Sequence, residues 1–483
     1  MDDDTVVPGL AEDGSVRIGA DGPGLRVVLP RHAVGAEGSD ALDWTSRTVV
    51  DDDEIAIDST YGSLRAAVRH EVSTSTWRVR VSLANGTGDE VSFSHARLAV
   101  DPGTGQAWVW AAGVTGLVVL ESEGELWALS LRQGRLVRET GETSWLPDGT
   151  TVPAGRRVIL ELAGRRCADW DEVASLLPSW LPGLTVRGDE PVDLKLPDAG
   201  VVAAECSVLE GPGSTEIRGD GLQRVLVHGA FGEVALECAF APSLADAVAQ
   251  GARQLARMVR EVPGAVHQLD DTGPSTRARG LERTARRLIL LQSAHSHDAA
   301  DVVRGWLLEG VSDLLHSGGT PGPFAVAALA GEVQRRDDPQ ALRTLLDALP
   351  EVDVEPGIVL ALTRVWAVLW GLGHDPEPVR QALAWVLSRP GSTRLEAIEH
   401  AVVGGRPDGP VQLLAALGGG LPGAAVPARE PWQDAYAVAL VSLVGDDAPD
   451  RFRLVQAAEV AARRVTAGHP DDPDVLAWLL LGD

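Results

Sequence analysis

The first half of the chain alternates hydrophobic and polar residues with a period of two. In Thr76–Leu83, the side chains of Trp77, Val79, Val81 and Leu83 fall on one face and polar side chains fall on the other. This spacing predicts a half-buried β-strand, because successive side chains of a strand point to opposite faces. Further strands are predicted at Leu25–Leu29, Glu54–Asp58, Leu64–His70, Gln106–Trp110, Leu117–Leu120, Glu125–Leu131 and Arg157–Leu162.

A tight turn is predicted directly after the Thr76–Leu83 strand, where Asn85 and Gly86 stand together. This dipeptide tolerates the positive φ angles of two-residue hairpin loops. A second alternating segment, Glu90–Val100, follows it. Many short strands with turn residues between them and no helical segment indicate an antiparallel sandwich.

The hydrophobic pattern changes from the strand period to the helix period after Pro242. Ser243 can cap a helix, and Leu244, Val248 and Leu255 then form one apolar stripe. Gly and Pro separate the later helical segments, and the short connections predict antiparallel pairs about forty residues long. The later helices are predicted at Thr276–Ala294, Asp298–His316, Pro323–Arg335, Pro339–Leu349, Gly357–Gly371, Glu377–Ser388, Thr393–Val403, Pro410–Leu417, Gln433–Val444, Asp450–Ala467 and Pro473–Leu481.

These patterns predict a multidomain β-then-α chain, with antiparallel β-sandwich units followed by an all-helical array of α/α hairpins, either a toroid or a solenoid. Residues 1–165 form the predicted sandwich, and residues 166–182 form a linker helix that Asp169 can cap. Residues 183–242 resume the strand pattern, as a small immunoglobulin-like unit or as a continuation of the first sandwich. Residues 243–483 form the helical domain.

The chain is strongly acidic, with a formal net charge of -27 over 483 residues. Such a surface repels phosphate groups and anionic lipids, so we expect neither nucleic acid nor a membrane as a partner. The arginine-rich segment from Arg277 to Arg287 is interpreted as the solvated face of a helix. The N-terminus lacks the features of a signal peptide, and three cysteines without CxxC spacing favour a reducing compartment. We therefore expect a cytoplasmic protein.

No nucleotide-binding glycine loop, nucleophile elbow or HExxH zinc motif occurs in the sequence. His295 and His297, with Asp298 and Asp301 after them, could supply metal ligands. The helical pattern restarts at Asp298, which is therefore interpreted more simply as an N-cap. We expect neither a metal site nor a cofactor, and a metal-dependent enzyme built on the two histidines is the weakest hypothesis.

Tryptophan is the unusual component of the composition, with 14 Trp against 2 Tyr and 5 Phe. Indole rings stack on the apolar faces of sugars, and glycoside hydrolysis needs two carboxyl groups beside the scissile bond. In the helical half, Trp306, Trp366 and Trp432 are the candidate substrate-binding residues. Glu309 and Glu396 are the candidate catalytic pair.

Some of these residues also have a plainer interpretation. Trp366 and Trp370 are spaced four residues apart in an apolar helix, which is typical of core packing. Glu396 and Glu399 lie one turn apart before His400, which suits a solvated helix face.

The order of elements resembles that of bacterial glycoside hydrolases and phosphorylases in which a β-sandwich precedes an α/α-toroid. The segment WRVRVSLANGTGDEVSFSHARLAV looks like the paired strands of such sandwiches, and RVILELAG followed by ADWDEVASLLPSWLP looks like the connection that leaves them. The resemblance implies a carbohydrate-active protein that acts on or binds a cytoplasmic glycan. The short connections of the helical half leave little room for catalytic loops, which allows for a relative that has lost its activity.

A second hypothesis is a non-enzymatic interaction scaffold whose helical repeats hold a partner on a concave face. Its acidity would favour a basic protein partner. A closed ring of helices with an acidic, Trp-lined pocket would support the carbohydrate hypothesis. An open arc with a broad groove would support the scaffold.

Overall fold

The computed structural model describes residues 8–482, apart from residues 12–13, 20, 36–37, 52, 123–124, 140–141, 182, 197–200, 212–213, 230–231, 262–273, 295–297, 422–429 and 449. Strands occupy the N-terminal half of this part of the chain and helices occupy the C-terminal half. The strands are β1 (Pro8–Leu10), β2 (Val16–Ile18), β3 (Gly24–Val28), β4 (His32–Gly35), β5 (Gly38–Ala41), β6 (Thr45–Val50), β7 (Glu54–Tyr61), β8 (Leu64–Val72), β9 (Thr76–Asn85), β10 (Val91–Ser94), β11 (Ala96–Asp101), β12 (Gln106–Gly113), β13 (Gly116–Ser122), β14 (Glu125–Gln133), β15 (Leu136–Glu139), β16 (Glu142–Leu146), β17 (Thr150–Val152), β18 (Arg157–Cys167), β19 (Thr185–Arg187), β20 (Val192–Leu194), β21 (Val201–Ala204), β22 (Ser207–Gly211), β23 (Ser214–Arg218), β24 (Gly221–Gly229) and β25 (Gly232–Ala241).

Fourteen of the described strands form one large antiparallel sheet, in the order β1-β2-β3-β11-β16-β15-β12-β13-β14-β18-β9-β8-β7-β6. A small sheet, β17-β10-β4-β5, packs on one face of it. After the helix α1 (Trp170–Ala174), two more sheets follow, β19-β25-β24-β21 and β20-β23-β22. The predicted fold class, β-sandwich units followed by helices, is confirmed. The predicted domain boundaries stay a prediction.

The hairpin predicted at Asn85-Gly86 is wrong. The strand β9 belongs to the large sheet and β10 to the small one, so the chain changes sheets here. The buried Asn85 side chain donates from Nδ2 to the Val152 carbonyl at 2.9 Å, which fixes the corner. The predicted strand Glu90–Val100 also divides, at His95, whose φ of 60° separates β10 from β11.

The centre of the large sheet, formed by β12, β13 and β14, is buried on both faces. Val118 and Leu120 of β13 point into the core shared with the small sheet, whereas Leu117 and Val119 point into a second core. That second core also contains side chains of β20–β25 and of the helices. One continuous apolar interior therefore joins the strand half to the helical half. Near-continuous hydrophobic runs are typical of strands covered on both faces.

The helices of the C-terminal half match the predicted segments closely. The segment predicted from Gln433 onward ends as a 3₁₀ turn, Leu440–Leu443. None of the described helices is long and apolar enough to cross a membrane. The helices are α2 (Leu244–Glu261), α3 (Pro274–Ser293), α4 (Asp298–His316), α5 (Pro323–Arg336), α6 (Pro339–Ala348), α7 (Ile358–Leu372), α8 (Glu377–Leu387), α9 (Arg394–Val403), α10 (Gly409–Ala416), α11 (Pro431–Ala439), α12 (Arg451–Gly468) and α13 (Pro473–Leu480).

Alternate helices contact one another in a closed cycle. Helix α3 contacts α5, and the contacts continue through α7, α9 and α11 to α13, which returns to α3. The helices between them in sequence lie outside this cycle, with α4 on α3, α6 on α5, α8 on α7, α10 on α9 and α12 on α11. Short connections make successive helices antiparallel, so the helices of the inner cycle run in one direction.

The burial of both faces of β13 gives a direct test of this architecture. Val118→Ala and Val119→Ala should each lower the free energy of unfolding by about 2 kcal/mol, because each removes buried methyl groups from a different core. Urea unfolding followed by tryptophan fluorescence measures the effect. The control is Val50→Ala on the exposed edge strand β6, where the change should be below about 0.5 kcal/mol. A neutral result for either β13 variant would contradict the two-core arrangement.

Candidate functional site

A pocket of about 500 Å³ opens at one end of the inner cycle of helices. Most of its lining comes from the N-terminal ends of α5, α7, α11 and α13, and the rest comes from α3. This volume suits a small ligand. The lining residues are Glu282, Arg286, Pro323, Phe324, Glu355, Pro356, Glu430, Pro431, Trp432, Asp472, Asp474, Val475 and Trp478.

One wall of the pocket is aromatic. The rings of Trp432 and Trp478 stack with their centroids 5.3 Å apart and their planes 29° from parallel. Trp478 is buried, and it is fixed edge-on by Phe324 at 4.7 Å and tilted against Tyr436 at 4.8 Å. Trp432 is only half-buried, so part of its ring is available to a ligand. The structure thus places one predicted substrate-binding residue in the pocket, and its role stays a prediction.

Two glutamates, one from α3 and one from the loop before α7, meet at Gly322, directly before α5. Glu282 accepts the backbone N–H of Gly322 at its Oε1 and that of Phe324 at its Oε2, each at 3.0 Å. A Cβ added at Gly322 would lie 2.9 Å from Glu282 Oε1 and 2.8 Å from Glu355 Oε2. Both carboxyls therefore pack against this glycine. Glu282 caps α5, whereas no donor in the described part of the chain hydrogen-bonds to the exposed Glu355 carboxyl.

Both carboxyls hold their protons more tightly than free glutamate does. Burial and, to a smaller extent, the neighbouring Glu355 raise the pKa of Glu282 to about 7, against the opposing hydrogen bond from Phe324. Glu355 is exposed as a residue, but its carboxyl is partly desolvated in the pocket, and this desolvation and the negative charges of Asp353 and Glu396 raise its pKa. A carboxyl that stays protonated near neutral pH can donate a proton in catalysis.

Among the described lining residues, Arg286 is the one with a cationic side chain, and other groups already engage it. The guanidinium of Arg286 lies 4.5 Å from the centre of the Phe324 ring and 6.0 Å from that of Trp478. Its Nη1 lies 3.5 Å from Asp474 Oδ1. The earlier interpretation of the arginine-rich segment as a solvated helix face is therefore wrong for Arg286, because α3 turns this residue inward. Asp472 caps α13, accepting the Asp474 N–H at 2.9 Å.

The structure does not bring the predicted catalytic pair together. Glu309 is exposed on the outer helix α4. Glu396 is fully buried, and its Oε2 accepts the backbone N–H groups of Ser392 at 2.7 Å and Thr393 at 2.8 Å. The alternative of a solvated face for Glu396 and Glu399 is wrong, because α9 belongs to the inner cycle and both side chains are 0% exposed. The catalytic roles of Glu309 and Glu396 stay untested predictions.

The other predicted residues lie away from the pocket. Trp306 is 40% exposed on α4, and Trp366 packs half-buried against the core, as the plainer interpretation has it. Trp370 is 71% exposed, so a core position is wrong for it. His295 and His297 lie outside the described residues. Within the residues that are described, no group of three His, Cys, Asp or Glu side chains is placed to hold a metal ion.

Sequence reasoning missed all five pocket carboxyls, although three of them share a local signal. An acidic residue followed by proline stands at the start of α11 and α13, as Glu430-Pro431 and Asp472-Pro473, and shortly before α7, as Glu355-Pro356. Proline is favoured at the start of helices, which explains the pattern. The same dipeptide begins the outer helix α6 as Asp338-Pro339. Whether such a carboxyl lines the pocket or caps a helix at the surface therefore depends only on whether its helix belongs to the inner cycle.

A buried polar network lies behind the aromatic wall and joins α7, α9 and α11. Leu360 donates its N–H to Glu399 Oε1 at 2.8 Å, and Gly357 donates its N–H to the Tyr436 hydroxyl at 2.8 Å. The Tyr436 hydroxyl also hydrogen-bonds to Glu399. Burial raises the pKa of Glu399 to about 7 against these hydrogen bonds. The protonated carboxyl is thus the form that the folded ring favours.

This network makes a pH prediction. The folded state holds the Glu399 proton more tightly than the unfolded chain does, so its contribution to stability is complete below the ordinary glutamate pKa of about 4.3. That contribution is lost as the pH rises through the folded-state pKa of about 7. Urea unfolding of the normal chain between these limits should show falling stability. The isosteric Glu399→Gln variant should show a smaller fall, and parallel curves for the two proteins would contradict the assignment.

Neither a family model nor a curated protein matches the sequence. Among solved structures, the polysaccharide lyase BACCELL_00875 has a TM-score of 0.55 and 11% sequence identity, over 91% of this chain and 76% of that protein. A mutant of a family 81 glycoside hydrolase from Clostridium thermocellum aligns with 10% identity over 80% of this chain and 65% of that one. Its TM-score of 0.20 is too low to indicate a shared fold. Similarity to the lyase concerns the fold alone. The resemblance in architecture predicted from the sequence is therefore confirmed.

Proposed function

We propose that this chain is a carbohydrate-active protein that binds a sugar in the ring pocket and hydrolyses a glycosidic bond there. One observation carries the proposal. The half-exposed face of Trp432 and the carboxyl of Glu355, whose pKa is raised, line the same pocket. A stacking surface for the sugar and a carboxyl with a raised pKa, which suits a general acid, are both features of glycoside hydrolysis sites.

The arrangement of helices supports this function over an interaction scaffold. Contacts that run from α3 through the inner helices and back to α3 fit an α/α-toroid, which leaves no open arc for a partner. The fold shared with a polysaccharide lyase supports the same choice. The three cysteines, Cys167, Cys206 and Cys238, are free, which supports a glycan of the cytoplasm as the substrate.

The roles of the pocket carboxyls are assigned from their exposure and from the groups that each one already binds. Glu282 caps α5, Asp472 caps α13 and Asp474 pairs with Arg286. Glu355 is exposed and receives no hydrogen bond within the described residues, so we assign it as the general acid. Glu430, exposed at the start of α11 where it forms a capping box with Gln433 of its own helix, is assigned as the second carboxyl, which acts as base or nucleophile.

Binding can be tested apart from catalysis. Trp432→Ala should weaken oligosaccharide binding about tenfold, because it removes the stacking surface. Isothermal titration calorimetry with a broad oligosaccharide panel measures this affinity. Trp370→Ala is the matched control, since Trp370 is exposed but does not line the pocket, and it should bind normally. Equal affinities for the two variants, or no binding of any oligosaccharide by the normal protein, would contradict the proposal.

Hydrolysis is tested with isosteric variants of the assigned carboxyls. Glu355→Gln and Glu430→Gln should each lower kcat by about 10²–10⁴-fold while sugar binding persists, because only proton transfer or bond formation is lost. Release of reducing sugar measures the rate, and the exposed Glu351→Gln is the control. A large loss in Glu309→Gln instead would support the sequence-based pair. A normal chain that binds sugar without turnover would contradict hydrolysis and leave sugar binding as the function.

A further inference from the structure

The charge of the pocket defines the class of sugar that it can bind. We propose that the pocket selects its ligand by charge: it binds uncharged and amine-bearing sugars and excludes sugars that carry carboxylate or sulfate groups. This inference rests on the proposed carbohydrate binding and adds the chemical class of the ligand.

Acidic side chains outnumber basic ones in the pocket. Its described lining contains five carboxyl residues and a single arginine, Arg286; the carboxyl residues are Glu282, Glu355, Glu430, Asp472 and Asp474. Asp474 pairs with Arg286, and the pKa of Glu282 is raised to about 7, so the excess negative charge of the pocket comes from the remaining carboxyl residues. The formal net charge of -27 adds a long-range field of the same sign.

Arg286 cannot serve as a receptor for an acidic sugar. Binding sites for carboxylates and sulfates use an arginine whose planar fork is free to form paired hydrogen bonds. Here the guanidinium lies over Phe324 at 4.5 Å and pairs with Asp474 at 3.5 Å. Its Nε is buried. An incoming carboxylate would have to displace Asp474 and would then face the remaining pocket carboxyls.

An amine-bearing sugar meets the opposite situation. Its ammonium group is attracted by the carboxyls, and the face of Trp432 offers a cation–π surface in addition to stacking. The apolar walls formed by Trp478 and Phe324 keep the local dielectric low, which strengthens both the attraction of amines and the repulsion of acids. The expected order of affinity is amine-bearing above neutral above acidic.

The test compares oligosaccharides that differ only in charge. Several backbones of different linkage are each supplied as the neutral, the 2-amino and the uronate form, at a pH where the amine is protonated. Calorimetry at low salt should show the amine form binding at least about tenfold more tightly than the uronate form. The difference should shrink at about 0.5 M salt, because screening then acts within a few ångströms.

A single substitution tests whether the pocket itself causes the preference. Asp474→Asn removes one negative charge and releases Arg286, so binding of the uronate form should improve by about threefold or more relative to the neutral form. Asp471→Asn is the matched control, because Asp471 is exposed and does not line the pocket. It changes the net charge equally and should leave the preference unchanged.

The outcomes separate this inference from the proposed function. Absence of binding for every sugar overturns the proposed function itself. A uronate form that binds as tightly as the neutral form overturns the charge selection while the proposed function stands. A preference that persists in high salt and in Asp474→Asn also overturns it, because shape would then be the cause.

Discussion

The burial of both faces of β12, β13 and β14 is the constraint on which the rest of the structure depends. A sheet covered on one face only would leave Leu117 and Val119 in water, so a second layer must cover them. The cover includes Trp170 of α1, whose ring packs edge-on against Trp108 at 5.1 Å. The glycine turn after α10 sits against the same rings, since a Cβ at Gly419 would lie 2.2 Å from Trp170. The sheet thereby fixes the position of the helical ring.

The ring in turn creates the pocket. When alternate helices close a cycle and run in one direction, their N-terminal ends converge, and so do the residues that cap them. Carboxyls are favoured at helix N-termini because they accept hydrogen bonds from the free N–H groups and interact favourably with the positive end of the helix dipole. Glu282 and Asp472 act in this way. A structural preference of individual helices thus concentrates negative charge at one place, beside an aromatic wall.

The closed ring of helices buries carboxyl groups, which lowers the stability of the fold but suits a catalytic site. Glu396 and Glu399 are fully buried, and burial disfavours a charged carboxyl. The ring tolerates this cost behind the aromatic wall of the pocket. There Glu399 hydrogen-bonds to the Tyr436 hydroxyl, and the Tyr436 ring packs against Trp478. Carboxyls with raised pKa values in and beside a pocket, such as Glu282 and Glu355, are typical of catalytic sites. The lyase similarity shows that the fold occurs in an enzyme that acts on polysaccharides, but the chemistry has to be argued from the pocket.

The sequence by itself determined the fold class, nearly all helix bounds, most strands of the large sheet and one pocket residue, Trp432. These features follow from spacing within a single element, where side-chain geometry links period to burial. Tertiary structure alone decided that Asn85 forms a corner between sheets and that Glu396 is buried. It also decided that Glu355 and Glu430 share a pocket, although an acid–proline pair precedes both inner and outer helices. Local spacing cannot encode such convergence, because it arises only when α13 closes the ring on α3.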